Sequence, residues 1–121
     1  KKKILIVEDD IELRDTMKDF LVEEGFEVVS ASDGDAGVQG AIEEVPDLVL
    51  LDIILPKRNG YEVLEEIKSN KKTKDIPVMV LTNLSSIDDI QKALDLGATN
   101  YLVKGDYKLS EVAAKIHAVL G

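Results

Sequence analysis

Runs of unbroken hydrophobic residues alternate along the chain with segments whose apolar positions recur at helical spacing. Ile4-Leu5-Ile6-Val7 is a short β-branched run without polar alternation, halted by Glu8-Asp9-Asp10, which predicts a strand buried on both faces. Leu13, Met17, Phe20 and Leu21 then fall on one helical face, closed by Gly25. Phe26 to Ala31 carries a weaker strand signal, and Ser32-Asp33-Gly34 supplies turn and cap chemistry. Val38, Ala41, Ile42 and Val45 predict a second helix ended by Pro46, although Gly37 and Gly40 each cost about 1 kcal/mol relative to alanine in a helix interior. The apolar stretch Leu48-Val49-Leu50-Leu51 delivers one carboxylate, Asp52, before Ile53-Ile54-Leu55-Pro56.

A loop from Pro56 to Gly60 precedes a third helix marked by Val63, Leu64 and Ile67. Lys71-Lys72-Thr73-Lys74-Asp75 reads as a solvated connector, and Pro77 to Thr82 as another buried strand. Ser86 and Asp89 have capping-box spacing and open a helix through Ile90, Ala93 and Leu94 to Gly97. Tyr101-Leu102-Val103-Lys104 is the last strand. Leu109, Val112, Ala113, Ile116 and Leu120 predict a final amphipathic helix with polar Lys108, Glu111 and Lys115 outside. Such alternation predicts an α/β fold, a parallel sheet with helices on both faces joined by right-handed crossovers. Ligands of such sheets sit outside the carboxyl ends of the strands, where strand order reverses.

A chain of 121 residues with 45% apolar and 32% charged residues fits one globular domain over 1–121, without a linker, and the scarcity of aromatics predicts an aliphatic core. The net charge of -9 disfavours direct binding to nucleic acid or to an anionic membrane surface. No apolar run reaches membrane-spanning length, and Lys1-Lys2-Lys3 precedes a strand-like segment and no signal-peptide core, so a soluble, cytoplasmic protein is expected. The absence of cysteine excludes disulfides, a thiolate nucleophile and cysteine metal sites. His117, the sole histidine, falls in the final helix, where a solvated position is expected, and nothing suggests zinc.

The strand ends carry the chemistry: Glu8 and Asp9, then Asp52, then Thr82, then Lys104. Each alone has an ordinary structural reading. Asp9 and Glu12 have capping-box spacing, so Asp9 or Asp10 fits a helix cap; a lone threonine or lysine at a strand end needs no function. Together they make a different object. Three carboxylates within about 5 Å repel by roughly 3 kcal/mol per pair at an effective dielectric of 20, so the site calls for a cation. A hard divalent ion held by carboxylates and phosphate oxygens suits magnesium, with Lys104 as a second positive charge. Asp52 then fits the nucleophile of an in-line phosphoryl transfer that forms an acyl phosphate, with Lys104 on the phosphoryl oxygens and Thr82 donating a hydrogen bond. No general base is evident, which suits a group that holds phosphate better than a fast hydrolase.

Taken in order, Ile6-Val7-Glu8-Asp9-Asp10, Leu51-Asp52-Ile53-Ile54-Leu55-Pro56 with Gly60 after it, Leu81-Thr82, and Gly97-Ala98 leading to Tyr101-Leu102-Val103-Lys104 resemble the receiver domains of two-component response regulators, over essentially the whole chain. The resemblance implies a flavodoxin-like, doubly wound, five-stranded parallel sheet of order 2-1-3-4-5. It makes Asp52 the phosphoacceptor, fed by a histidine kinase or a histidine phosphotransfer protein. It places Glu8 and Asp9 as the acidic pair of a Mg2+ site, with Asp9, Asp52 and the backbone carbonyl of Ile54 as direct ligands. It sets Thr82 and Lys104 against the phosphoryl group, and it makes Tyr101 a switch that turns inward as Thr82 moves. Outputs, an effector or a homodimer, would form on the fourth helix, fifth strand and fifth helix. Such a domain catalyses only its own phosphorylation and dephosphorylation.

Four departures from the family pattern bear on these expectations. Gly105 stands where receivers usually have proline after the lysine, and a cis bond without proline costs about 3 kcal/mol, so a trans bond or a strained loop is expected. Asn83 is larger than the small residue common there and is expected to narrow access to the phosphoryl site. Ile54 and Leu84 are apolar at positions that tune autodephosphorylation in the family, so the rate should depart from the typical one. Asn100 replaces an acid of the DNA-binding subfamily's dimer face, which puts that symmetric dimer in doubt. A haloacid-dehalogenase-type hydrolase would need a second acid where this chain has Ile54. A flavodoxin-like cofactor binder would need a phosphate-cradling loop where Glu8-Asp9-Asp10 repels phosphate. A degenerate, purely protein-binding receiver fits poorly with a complete acidic and basic set.

Overall fold

The computed structural model describes residues 1–121. Five strands, β1 (Lys3–Val7), β2 (Glu27–Ala31), β3 (Leu48–Leu51), β4 (Val78–Thr82) and β5 (Asn100–Val103), form one parallel sheet in the order 2-1-3-4-5. Helices α1 (Ile11–Glu23), α2 (Gly34–Glu44), α3 (Gly60–Ser69), α4 (Ile87–Asp95) and α5 (Leu109–Leu120) follow the strands in turn. Strand residues alternate between the two faces. Leu5, Val7, Val49, Leu51, Val78 and Val80 pack on one side with Ala41 of α2, Val63, Leu64 and Ile67 of α3, and Ala93 of α4. Ile4, Ile6, Leu48, Leu50, Met79, Leu81 and Leu102 pack on the other with Met17 and Leu21 of α1 and Val112, Ala113 and Ile116 of α5. A sheet buried on both faces explains why its inner strands read as continuous apolar runs.

Local chemistry fixes where the helices start. Asp10 caps α1 by accepting from the N–H groups of Glu12 and Leu13, Asp33 caps α2 through Ala36, Asn59 and Glu62 form a reciprocal capping box on α3, and Ser86 accepts from Asp89 at the start of α4. The glycines of α2 have a packing reason. A Cβ on Gly37 would lie 2.8 Å from a methyl carbon of Val7, so the helix reaches the sheet only because the side chain is missing.

Four expectations are corrected. Val45 does not extend the apolar face of α2: it is the C-cap, left-handed at φ 42° and half-exposed, its N–H closing the last turn on the Ala41 carbonyl just before Pro46, which cannot continue the helix. The Lys71–Asp75 connector is not simply solvated. Thr73 is fully buried, and its hydroxyl donates to the carbonyl of Ile67 at 2.6 Å. Lys104 lies just past β5, opening a 3-10 turn over Lys104–Asp106. In α4 only Ala93 is buried, while Leu94 is exposed. The Lys104–Gly105 peptide is trans, as are all others, and no helix is long and apolar enough to cross a membrane.

Candidate phosphoryl-transfer site

The parallel register carries the chemical groups to one edge. Val7 pairs with Leu51, so Glu8 and Asp52, each the next residue, leave adjacent strands side by side. Their backbones are anchored: the Glu8 N–H donates to Ala31 O and the Asp52 N–H to Val7 O, both at 3.0 Å. Thr82 is the last residue of β4 and pairs with Val103, so Lys104 leaves β5 one step beyond it. From there the Lys104 ammonium reaches Glu8 Oε1 at 2.8 Å and Asp52 Oδ2 at 2.7 Å.

Both acids are nearly inaccessible, Glu8 at 2% and Asp52 at 5% exposure, so the ammonium offsets charges that water cannot. The other carboxylate oxygens are also engaged. Asp10 N–H donates to Glu8 Oε2 and Ile54 N–H to Asp52 Oδ1, each at 3.1 Å. Burial pushes the Glu8 carboxyl above its ordinary value against the pull of Lys104 and the Asp10 N–H, and the charge of Asp52 adds to the rise. Burial pulls Lys104 down, but its bonds to Asp52 and Glu8 outweigh that and hold the ammonium above its ordinary value.

Asp9 differs from its neighbours. Asp10 takes the capping role, and exposed Asp9 makes neither a hydrogen bond nor an ion pair within the chain. One carboxylate oxygen each from Glu8, Asp9 and Asp52 lie within 4.8 Å of one another. An all-oxygen donor set with one uncommitted carboxylate fits a hard divalent cation and lacks the nitrogen or sulfur ligands of zinc sites. Gly60 keeps the neighbouring loop close: a Cβ there would overlap the Asp52 carbonyl oxygen and sit 2.5 Å from the Ile53 Cα.

Thr82 is fully buried, and its Oγ1 accepts from the Leu84 N–H over a long 3.5 Å. The hydroxyl of Tyr101, which could have been left wet at the end of a half-buried ring, instead donates to the Leu84 carbonyl at 2.8 Å. The phenol is held above its ordinary value by burial, then by the charges of Asp89 and Asp52. Asn83 is exposed. His117 is half-exposed, as expected, beside Glu24 and stacked on Phe26.

Two site neighbours escaped the sequence reading. Arg14 of α1 donates from Nη1 to the Glu8 carbonyl at 2.9 Å, and Tyr61 of α3 donates to Asp89 Oδ1 of α4 at 2.8 Å. Neither has a local signal, since each partner is chosen by how separate elements pack. The largest cleft, about 490 Å3 between α3 and α4, shares no lining residue with the acid cluster.

Known proteins share this sequence pattern and fold. The chain is 41% identical to a probable transcriptional regulator, ycf27, of Guillardia theta, over 99% of this chain and 46% of that protein. It spans about half the length of the curated relatives it matches. Among solved structures, a CheY-like response regulator receiver domain protein from Methanospirillum hungatei superposes with a TM-score of 0.92 at 31% identity, covering 98% of this chain and 93% of that one. The BeF3-activated N-terminal receiver domain of Klebsiella pneumoniae RstA does so with a TM-score of 0.89 at 30% identity, covering 98% and 97%. Residues 4–117 match the response regulator receiver domain, a phosphoacceptor module, and the chain belongs to that family.

Proposed function

We propose that residues 1–121 act as one receiver unit in which Asp52 accepts a phosphoryl group from a phosphohistidine of a histidine kinase or phosphotransfer protein, in a magnesium-dependent reaction. The convergence of the Lys104 ammonium on both buried acids carries this reading. A carboxylate oxygen of Asp52 attacks phosphorus, an O–P bond forms, and the P–N bond breaks with its electron pair passing to the leaving imidazole. The nucleophile is a carboxylate, so it has no proton to surrender, and no general base is needed. Lys104 moves from balancing Asp52 to balancing the phosphoryl oxygens, and the Thr82 hydroxyl donates to one of them. Asp9, Asp52 and the Ile54 backbone carbonyl, with Glu8 beside them, would hold Mg2+, which supplies neutralisation of phosphoryl charge when bound. Phosphorylation draws Thr82 inward, and Tyr101, tied to Leu84 of the same loop, carries the change to the face of α4, β5 and α5, where an effector or second copy binds.

The test is direct. Incubation with a small acyl phosphate and magnesium adds one phosphoryl group by intact mass, and Asp52→Asn or a chelator abolishes it. A parent chain that stays unmodified across a wide range of donor concentrations refutes the proposal.

A further inference from the structure

The loop between Thr82 and α4 is held directly by one tyrosine and, through α4, by a second. Tyr101 holds it at the Leu84 carbonyl, from β5. Tyr61 of α3 acts one step further on, at α4: its hydroxyl donates to Asp89 Oδ1 at 2.8 Å, and Asp89 Oδ2 accepts from the hydroxyl of Ser86, the N-cap that ends the loop, at 2.7 Å, while the Ser86 Oγ in turn caps Asp89 N–H at 3.0 Å. The Lys92 ammonium of α4 lies 4.3 Å above the centre of the Tyr61 ring, a second tie between the same two helices. These ties matter more here than they would elsewhere. Helix α4 buries only Ala93, and Ile87 at its start is 83% exposed, so little apolar packing fixes its N-terminal turn.

We propose that Tyr61 is a positioning residue for the phosphoryl site, a latch that through Asp89 and Ser86 holds the Thr82–Ser86 loop back from Asp52. The inference rests on the reading of Thr82 as a contact of the phosphoryl group. When the Thr82 hydroxyl turns to donate to that group, its long 3.5 Å contact with the Leu84 N–H is the bond that gives, and the loop shifts with it. Its downstream end cannot follow freely while Ser86 is tied to Asp89 and Asp89 to Tyr61 of α3. The latch therefore opposes phosphorylation, and its release favours it.

Tyr61→Phe keeps the ring and its contact with Lys92 and removes the donor alone. It is expected to speed Asp52 phosphorylation by acetyl phosphate and magnesium about fivefold, the factor carried by one modest hydrogen bond. Amide exchange should quicken by a similar factor in residues 84–90 and stay unchanged in β1 and β3. Asp89→Ala should reproduce both effects. Asp89→Asn keeps an amide oxygen to accept from Tyr61, and its NH2 donates to the Ser86 Oγ in place of the bond Asp89 Oδ2 received, so this variant should stay within about twofold of the parent. A merely structural tyrosine would loosen α4 without moving the phosphorylation rate, and that outcome overturns the inference. A parent that takes a phosphoryl group while Tyr61→Phe matches it in rate and exchange overturns the latch alone. A parent that takes none overturns the phosphoacceptor reading, and the latch with it.

Discussion

Replacing Lys104 by methionine keeps much of the stem's volume and removes the one cation that faces both buried acids. The Lys104 side chain is 17% exposed, against 2% for Glu8 and 5% for Asp52, so its charge is only partly replaceable by water. Carboxylate oxygens of Glu8 and Asp52 lie within 4.8 Å, and two unit charges at that distance repel by about 3.5 kcal/mol at an effective dielectric of 20. The expected loss of stability at pH 8, in buffer with chelator, is therefore about 3 kcal/mol, in line with breaking other buried pairs. The protein can relieve the strain by taking up a proton. Burial already raises the folded-state value of Glu8, and Lys104 is the main group holding it down. A carboxyl whose folded value lies above its unfolded one is at its most favourable below the unfolded value of about 4.3, and that contribution is lost as pH rises through the folded value. The penalty of Lys104→Met should thus be small at pH 5 and full at pH 8. Urea unfolding followed by far-ultraviolet circular dichroism reads it as a midpoint lowered by about 2 M at pH 8, for a slope of about 1.5 kcal/mol per molar. Equal midpoint shifts at the two pH values would show that Lys104 acts through its stem, and would refute the charge argument.

Two further outcomes follow from single side chains. Magnesium at about a hundred times its dissociation constant should stabilise the parent by about 2.7 kcal/mol, seen as a higher melting temperature. Asp9→Asn should remove most of that gain while leaving the metal-free protein no less stable, since Asp9 has no partner within the chain to lose. Thr73→Val deletes a buried hydroxyl and strands the Ile67 carbonyl, so it should cost about 1–2 kcal/mol in urea unfolding at any pH from 5 to 8.

Strand ends and helix starts were legible because both depend on neighbours in sequence. Glu8 follows Val7 and Asp52 follows Leu51, so once a parallel sheet is inferred, their meeting needs only that β1 and β3 be adjacent. The caps Asp33 and Ser86 were equally local. Errors arose where a distant element decides. Thr73 stands among lysines in a polar connector, and nothing near it in sequence says that α3 offers a carbonyl. The hydroxyl of Tyr101 finds Leu84 across the sheet edge, and Arg14 finds Glu8 from α1. The question of whether Asp9 or Asp10 caps α1 could not be answered by spacing alone. Geometry gives the cap to Asp10 and so leaves Asp9 free for a cation.

That division of labour explains how one domain can hold a charge site rigid and still move. The backbone N–H groups of Glu8 and Asp52 are locked into the sheet, and the apolar residues just before them, Val7 and Leu51, are almost wholly buried. Shifting either acid would break ladder hydrogen bonds and open the core, which costs several kcal/mol. Thr82 is equally buried, but the chain beyond it is not: Asn83, Ser85, Ser86 and Ile87 are exposed, and discrete bonds hold the loop, from Tyr101 at Leu84, and the start of α4, from Tyr61 at Asp89. Discrete hydrogen bonds are worth about 1 kcal/mol each and can be exchanged one for another, whereas packed side chains cannot. A new charge on Asp52 will therefore act on the loop before the sheet. On the proposed function, the change would pass from the loop after β4 into α4, the α-helix with the fewest buried residues to resist it.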